Sequence, residues 1–583
     1  MAANFTFWIS GRRQTGRGGA SVRARLALLL LCVAPTGCVP SQSGGDSPAI
    51  KKISTSSEGL AASRDVAFAD VARERGLDYS WPKQPRPMRA TEAFGAGCAA
   101  FDGDNDGFQD LLLVADPHPI LYRNTGTGRF SDVTAESGLS QAAGDWTGCA
   151  IGDYDGDGLL DILLTGIHEL ALFQNRGGLK FSLVTEQAGL DPTNHGHWGA
   201  SAGFMDLDGD QRLDLVILNY VVFGPHVKQY CEQHPGMPTG CHPREYTPER
   251  GEIWHNVGQG KFEMIPDAAG MKQTSGVGLV LAFTDIDADG RLDFYIGNDG
   301  TPAELLHNQG NMRFENIGVV AGLDKDAKGS NLAAMGADWG DYNRDGRLDL
   351  VVTNFQDSCF VVYQAYSDCS YLDVSAPTGV AQATRDRLGF GAKWVDFDND
   401  GWPDIFFVNG HVYDNVDKLS QNSVSLAQPI LLMRNQRGEH FVDATGEMKA
   451  DVQRPILGRG SATLDFNNDG RMDLLAVDFE GPVMLLENQS SSPHHWITLD
   501  LRSAAPNVFA YGARAAAKTE GQLWVAEVSP ASSYLSSSDP RIHWGLGAVT
   551  ELSELTIRWP SGKTQQLKNV RADQILKIEE PRE

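Results

Sequence analysis

A nine-residue phrase, Asp-x-Asp/Asn-x-Asp-x-x-x-Asp, is written seven times in this chain, and each copy runs into a short hydrophobic stretch. The copies start at Asp102, Asp153, Asp206, Asp285, Asp341, Asp396 and Asp465, spaced 51, 53, 79, 56, 55 and 69 residues apart. Carboxylates on alternate positions of a tight loop converge and repel one another unless a hard cation sits among them. An all-oxygen cluster of this kind suits calcium. A period of about 50 residues is the size of one four-stranded blade, so the repeat predicts a radially repeated all-β architecture with loops inserted at the stretched spacings.

The charge follows the repeat. Side-chain carboxylates at positions one, three, five and nine number 26, and the formal net charge is −26. The acidity is concentrated in the loops, and the balance argues against nucleic acid, which needs basic stripes. A single Asp-Gly phrase would read as a hairpin turn, but seven copies in register, each with four fixed polar positions, do not. Nor is this an EF-hand, whose loop needs a Glu at position twelve and flanking helices. Position twelve here is Leu113, Leu164, Ile217, Ile296, Val352, Phe407 or Ala476. The runs that follow each loop, such as LLLV and LVIL, read as buried strands, so the unit is strand, Asp loop, strand.

A second phrase completes most units, with an Asn-x-Gly core at Asn124, Asn175, Asn256 and Asn308 and a near variant at Asn435. It is a hairpin signal between two strands, with a purely structural role. A half-copy at Val66 precedes the first Asp loop, and the seventh unit stops at Asn488 without a final strand. The N-terminal strand is therefore expected to complete the last sheet.

Together these phrases resemble the FG-GAP/VCBS repeats of integrin-type β-propellers. The resemblance implies a seven-bladed β-propeller over residues 63–491 with calcium held by loop positions one, three, five and nine. The implied ligands are Asp102, Asp104, Asp106 and Asp110; Asp153, Asp155, Asp157 and Asp161; Asp206, Asp208, Asp210 and Asp214; and Asp285, Asp287, Asp289 and Asp293. The later copies supply Asp341, Asn343, Asp345 and Asp349; Asp396, Asp398, Asp400 and Asp404; and Asp465, Asn467, Asp469 and Asp473. The third copy lacks Gly at position six, and the fifth and seventh carry Asn at position three, so weaker binding is expected there.

Residues 1–38 have the layout of a secretory signal, with five arginines and no acid before the apolar run Leu26–Ala34. Thr36-Gly37-Cys38 resembles the end of a bacterial lipobox, which would place a lipid on Cys38. The alternative is ordinary cleavage nearby. Residues 39–62 read as a flexible tether. Export favours disulfides, expected for Cys231–Cys241 and Cys359–Cys369. Cys98 and Cys149 occupy equivalent places in neighbouring units and could bridge or be small buried residues.

Two inserts, from Asn219 and from Val408, bring His226, Tyr230, His242, Tyr246, His411 and Tyr413, and His195 lies in a further His-rich phrase. The plainer expectation is that each insert caps its own unit; the alternative is a shared pocket or second metal site. Residues 492–580 read as a small β domain. Gly512-Ala513-Arg514, Tyr534-Leu535-Ser536-Ser537, His543-Trp544-Gly545-Leu546-Gly547 and Trp559-Pro560-Ser561-Gly562 resemble the ASPIC/UnbV domain. Propeller plus this tail is similar to the cartilage acidic protein family and its bacterial relatives.

The sequence thus predicts an exported, monomeric, calcium-binding module of the bacterial envelope (periplasm, outer membrane or cell surface), held to membrane by lipid alone. Its expected ligand is a protein or glycan. Two alternatives stand beside it: a propeller enzyme (hydrolase, lyase or cyclase) with its site on one face, and a lipid-tethered scaffold of an envelope complex.

Overall fold

The hydrophobic run after each Asp loop forms the second strand of a four-stranded antiparallel meander, and these second strands are buried along their whole length. The computed structural model describes residues 68–266, 270–421 and 423–582. The signal, the lipobox with Cys38 and the tether to residue 62 lie outside the described residues. In the first repeat, Cys98–Phe101 leads into the Asp loop, Asp110–Leu113 leaves it, and Ile120–Asn124 and Phe130–Asp132 form the hairpin around the Asn-x-Gly turn. Seven such meanders follow one another, numbered here sheets 1 to 7 by their Asp loops. The fold is all-β and β-propeller-like.

Sheet 7 takes its fourth strand from the other end of the chain, as the half-copy predicts. Phe68–Asp70 pairs antiparallel with Met484–Asn488, Phe68 opposite Asn488. The first strands pack in succession: Cys98–Phe101, Trp146–Gly152, Gly199–Met205, Gly278–Thr284, Ala337–Gly340, Gly389–Val395 and Gly458–Leu464, which packs back on Cys98–Phe101.

The Asn-x-Gly asparagines do more than turn a hairpin. Asn124, Asn175, Asn256, Asn308, Asn435 and Asn488 are all buried. Each Nδ2 donates to the carbonyl at position two of the preceding sheet's Asp loop: Phe466, Gly103, Tyr154, Leu207, Tyr342 and Phe397, at 2.7–2.9 Å. The same amide also donates to a carbonyl beside its own loop. Sheet 5 has Ala365 at this place and makes no such staple.

The tail forms a three-stranded sheet (His495–Arg502, Ile542–Gly547, Gln574–Glu579) and a four-stranded sheet (Arg514–Thr519, Gln522–Glu527, Glu551–Arg558, Thr564–Arg571). Both belong to a body packed on the Asp-loop end of the repeats. The Arg344 guanidinium lies 4.0 Å over the Trp524 ring, and the Tyr511 hydroxyl donates to the Ile151 carbonyl.

Between these sheets, segment 530–538 enters the space among the seven first strands. Ser537 pairs in parallel with Ala99 of sheet 1, the Cys149 N–H of sheet 2 donates to the Leu535 carbonyl, and Ala531–Ser532 packs on the first strands of sheets 3 and 4. Ser533 exchanges backbone bonds with Ala337 of sheet 5, Lys393 Nζ of sheet 6 donates to Ser532 Oγ at 2.5 Å, and Ser461 Oγ of sheet 7 lies 2.9 Å from Ser533 Oγ. The fit leaves no room at Gly97, where a Cβ would sit 1.8 Å from the Leu535 carbonyl oxygen.

Cys231 and Cys241 form the expected disulfide, with Cα atoms 4.9 Å apart. Cys359 does not pair with Cys369; it is a free thiol. The two flank opposite ends of the seven-residue strand Val361–Ser367, which at roughly 3.3 Å per residue holds them far beyond the roughly 7 Å a disulfide spans. Cys98 and Cys149 are also free and buried. The inserted segment lies against both: Cys98 Sγ is 3.8 Å from Ser536 Oγ and Cys149 Sγ 3.8 Å from the Leu535 carbonyl.

Replacing Asn308 by Ala removes three side-chain bonds and strands the Leu207 and Leu292 carbonyls and the Gly310 N–H. The expected loss of unfolding free energy is about 1–3 kcal/mol, read by denaturant titration. A change within about 0.5 kcal/mol, the level of an ordinary surface substitution, would refute the staple.

Candidate functional site

Each Asp loop is organised by its first and last carboxylates. Asp102, at position one, accepts from the Asp106 and Gly107 N–H groups at 3.0 and 2.9 Å, which closes the turn. The same pair of bonds recurs at Asp153, Asp285, Asp341, Asp396 and Asp465. In the third loop, which lacks the glycine at position six, Asp206 accepts from Gly209 and Gln211 instead. Asp110, at position nine, accepts from the Gly103 N–H inside the loop and from the Asn124 N–H on the third strand. All seven position-nine residues do the same, and all are at most 1% exposed.

Positions three and five lie nearer the surface in every loop but the sixth, where Asp398 is buried. Oxygens of Asp102, Asp104 and Asp110 come within 4.8 Å of one another, as do those of Asp153, Asp155 and Asp161, and of Asp206, Asp208 and Asp210. Asp104 Oδ1 and Asp155 Oδ1 are buried with no hydrogen-bond partner. Burial, and then the like charges beside them, push the position-one carboxyls up: Asp102 and Asp465 to about 6, Asp153, Asp206 and Asp341 to about 7. Burial raises Asp110 and Asp293 to about 8. Orphaned acceptors inside a self-repelling, all-oxygen cluster fit a hard divalent cation.

In five sheets the residue just before the asparagine also faces its loop, whereas Glu487 of sheet 7 pairs with Arg75 instead. The sequence reading missed this, although the register of the Asn-x-Gly phrase places that residue opposite the Asp turn. Arg123 Nε lies 2.7 Å from Asp104, His255 Nδ1 3.0 Å from Asp214, His307 Nε2 3.0 Å from Asp287 and Arg434 Nε 3.6 Å from Asp398. Hydrogen bonds to Asp214 and Asp287 raise the two histidines above their ordinary range. Arg558 of the tail pairs with Asp285 of the fourth loop.

The inserts do not each cap their own unit. They meet over the opposite end of the sheets, where first strands begin and second strands finish. Asn415 of the second insert donates to the Pro238 carbonyl of the first. Together they wall a central cavity of about 460 Å³ whose floor is Tyr534 of the inserted tail segment. His242 and Tyr413 line it. His411 is buried beside it, stacked edge-on to Phe355, and burial with the nearby Arg459 pushes its imidazole down to about 3. Tyr246 is buried behind the wall, whereas His226 and Tyr230 are solvent-exposed. His195 lies apart, stacked on Trp254 and 3.2 Å from Asp191.

The cavity also holds residues that no motif announced. The Tyr220 hydroxyl donates to Asp299 Oδ2 at 2.7 Å, and burial raises the Asp299 carboxyl. Asn354 is 1% exposed; its Oδ1 accepts from the Ala333 and Phe355 N–H groups, and its Nδ2 has no partner.

An FG-GAP-like repeat family matches residues 102–164, 153–217, 285–352 and 396–476, each match spanning two consecutive Asp loops, and the ASPIC and UnbV family matches 503–583. Cartilage acidic protein 1 of Mus musculus is 23% identical over 80% of this chain and 70% of its own length. The Homo sapiens protein of the same name is 23% identical over 84% and 72%. Among solved structures, an Agrocybe aegerita lectin described as recognising non-reducing terminal N-acetylglucosamine aligns with a TM-score of 0.36 at 17% identity, over 60% of this chain and 79% of that one. No described helix is long and apolar enough to cross a membrane. The chain belongs to the FG-GAP-repeat proteins that end in an ASPIC and UnbV domain, an architecture it shares with its homologue cartilage acidic protein 1.

Proposed function

We propose that this chain is an exported, calcium-loaded, closed seven-bladed β-propeller that serves as a binding and protein-interaction module in the bacterial envelope. The observation that carries the binding role is the meeting of both inserts over one central cavity. Long loops on a rigid repeat scaffold are where recognition sits. Closure is supported by the return of first-strand packing to its start and by the shared seventh sheet. Export is supported by the Cys231–Cys241 disulfide.

Calcium would be held by the side chains at loop positions one, three, five and nine, and supplies the charge that lets the carboxylates stay ionised together. Positions one and nine already use their oxygens to fix backbone N–H groups, so ion binding and loop geometry are one event. The loops are not equal: His255, His307, Arg123 and Arg558 bring positive charge to particular loops, which weakens cation binding there. The role is structural first. A lipid on Cys38 with residues 39–62 as tether would hold the module, a monomer, at a membrane surface.

Removing calcium with excess chelator is expected to lower Tm sharply, and titration to recover about five to seven ions, one per loop. An unchanged Tm would sink the structural role of calcium. In the ion-free chain the position-one carboxyls are raised, so their contribution to stability is fully present below about pH 4, the unfolded carboxylate range, and is lost as pH rises through about 6–7. The chelated chain should therefore melt lower at about pH 7.5 than at about pH 5. Calcium, which competes with protons, should raise Tm more at the higher pH; equal calcium shifts at both would contradict this. Cys38→Ser is expected to move the protein from the membrane to the soluble fraction, and an unaltered distribution would exclude the lipid tether.

A further inference from the structure

The central cavity has a definite chemical character. Phe94, Phe355, Phe390, Tyr413 and Tyr534 give it aromatic walls. Two polar groups stand together among them. Asp299 bridges Ala333 in antiparallel fashion and the Ala333 N–H donates to Asn354, so both residues adjoin Ala333, and both line the cavity. The Tyr220 hydroxyl occupies one Asp299 oxygen and leaves the other for a ligand. Asn354 Nδ2 is a buried donor with no protein partner, which is costly unless something else accepts from it.

The charges argue for a neutral ligand. Arg244 and His242 act electrostatically on Asp299. The Arg459 guanidinium already lies 4.0 Å over the Phe390 ring. A cationic ligand would meet the two guanidinium groups. An anionic ligand would meet the Asp299 carboxyl inside a chain of net charge −26. A neutral ligand that offers an apolar face to rings, and adjacent groups able both to give and to accept hydrogen bonds, matches what is present. A sugar ring has these properties: C–H faces stack on aromatics, and neighbouring hydroxyls can donate to a carboxylate while accepting from an amide.

We propose that the central cavity is a binding site for a neutral sugar residue, held by Asp299 and Asn354 and stacked between aromatic rings, with Tyr534 of the tail as its floor. This rests on the binding-module reading and specifies its ligand.

The test is titration of the calcium-loaded full chain with the methyl glycosides of glucose, galactose and N-acetylglucosamine, beside glucuronic acid and tetramethylammonium, by calorimetry and saturation-transfer NMR. One neutral glycoside is expected to bind at one site per chain with a Kd on the order of 1 mM. Asp299→Ala and Tyr413→Ala should each weaken it at least tenfold. Tyr413 is a half-buried loop residue, so its variant keeps the test valid if Asp299→Ala unfolds, and matching Tm confirms a folded chain. Binding unmoved by the folded variants overturns the site. Preference for glucuronic acid or tetramethylammonium overturns the charge argument. Binding of a peptide or protein across the inserts with no glycoside binding overturns this inference while leaving the binding-module reading in place.

Discussion

A buried carboxylate at position nine of every Asp loop ties three pieces of chain together. It accepts one N–H from within its loop and one from the third strand of its own sheet. In six sheets that second donor belongs to the asparagine whose side chain reaches the preceding sheet. Loop, sheet and neighbouring sheet therefore share one residue. Burying a charge this deeply is unfavourable unless it is compensated. The raised carboxyls show the cost that falls on the loop when no cation balances it. This links the acidity of the sequence to its architecture: the same carboxylates that repel one another hold the sheets in register.

The inserted tail segment sets a second constraint. The first strands face one another with small residues, and segment 530–538 fills the space between them with contacts to all seven sheets. Tail and repeats are thus one structure rather than two tethered domains. Ser536 of the Tyr534-Leu535-Ser536-Ser537 phrase accepts from the Cys98 N–H and donates to the Tyr534 carbonyl. Gly97 marks how closely backbone approaches backbone there.

Much of this was legible in the sequence. The period, the strand on each side of the Asp loop and the completion of sheet 7 by the N-terminal strand all follow from local patterns whose physical cause is local. The misses share a different origin. The expected Cys359–Cys369 bridge rested on spacing alone, and a straight strand between the two residues defeats it. The residue facing the loop from the third strand lies within its own unit and was open to the strand register; the asparagine staples and the Asp299–Tyr220–Asn354 group are contacts between units of the repeat. No pattern within one unit encodes them. The tail phrase was recognised as a domain mark, but nothing in its composition says that it threads into the repeats.

The two ends of the sheets are joined physically by that thread. The tail body packs on the Asp-loop end, where Arg344, Asn399 and Asp285 meet Trp524, His543 and Arg558. Its inserted segment ends the passage at Tyr534, whose hydroxyl donates to the Phe94 carbonyl on the wall of the cavity. The body that touches the loops therefore also carries the cavity floor. The floor is held in turn by backbone bonds to strands that begin beside the cavity and finish in the loops. Close-packed first strands of four to seven residues run between the two ends. The Asp-loop end and the cavity end are thereby joined through one packed element.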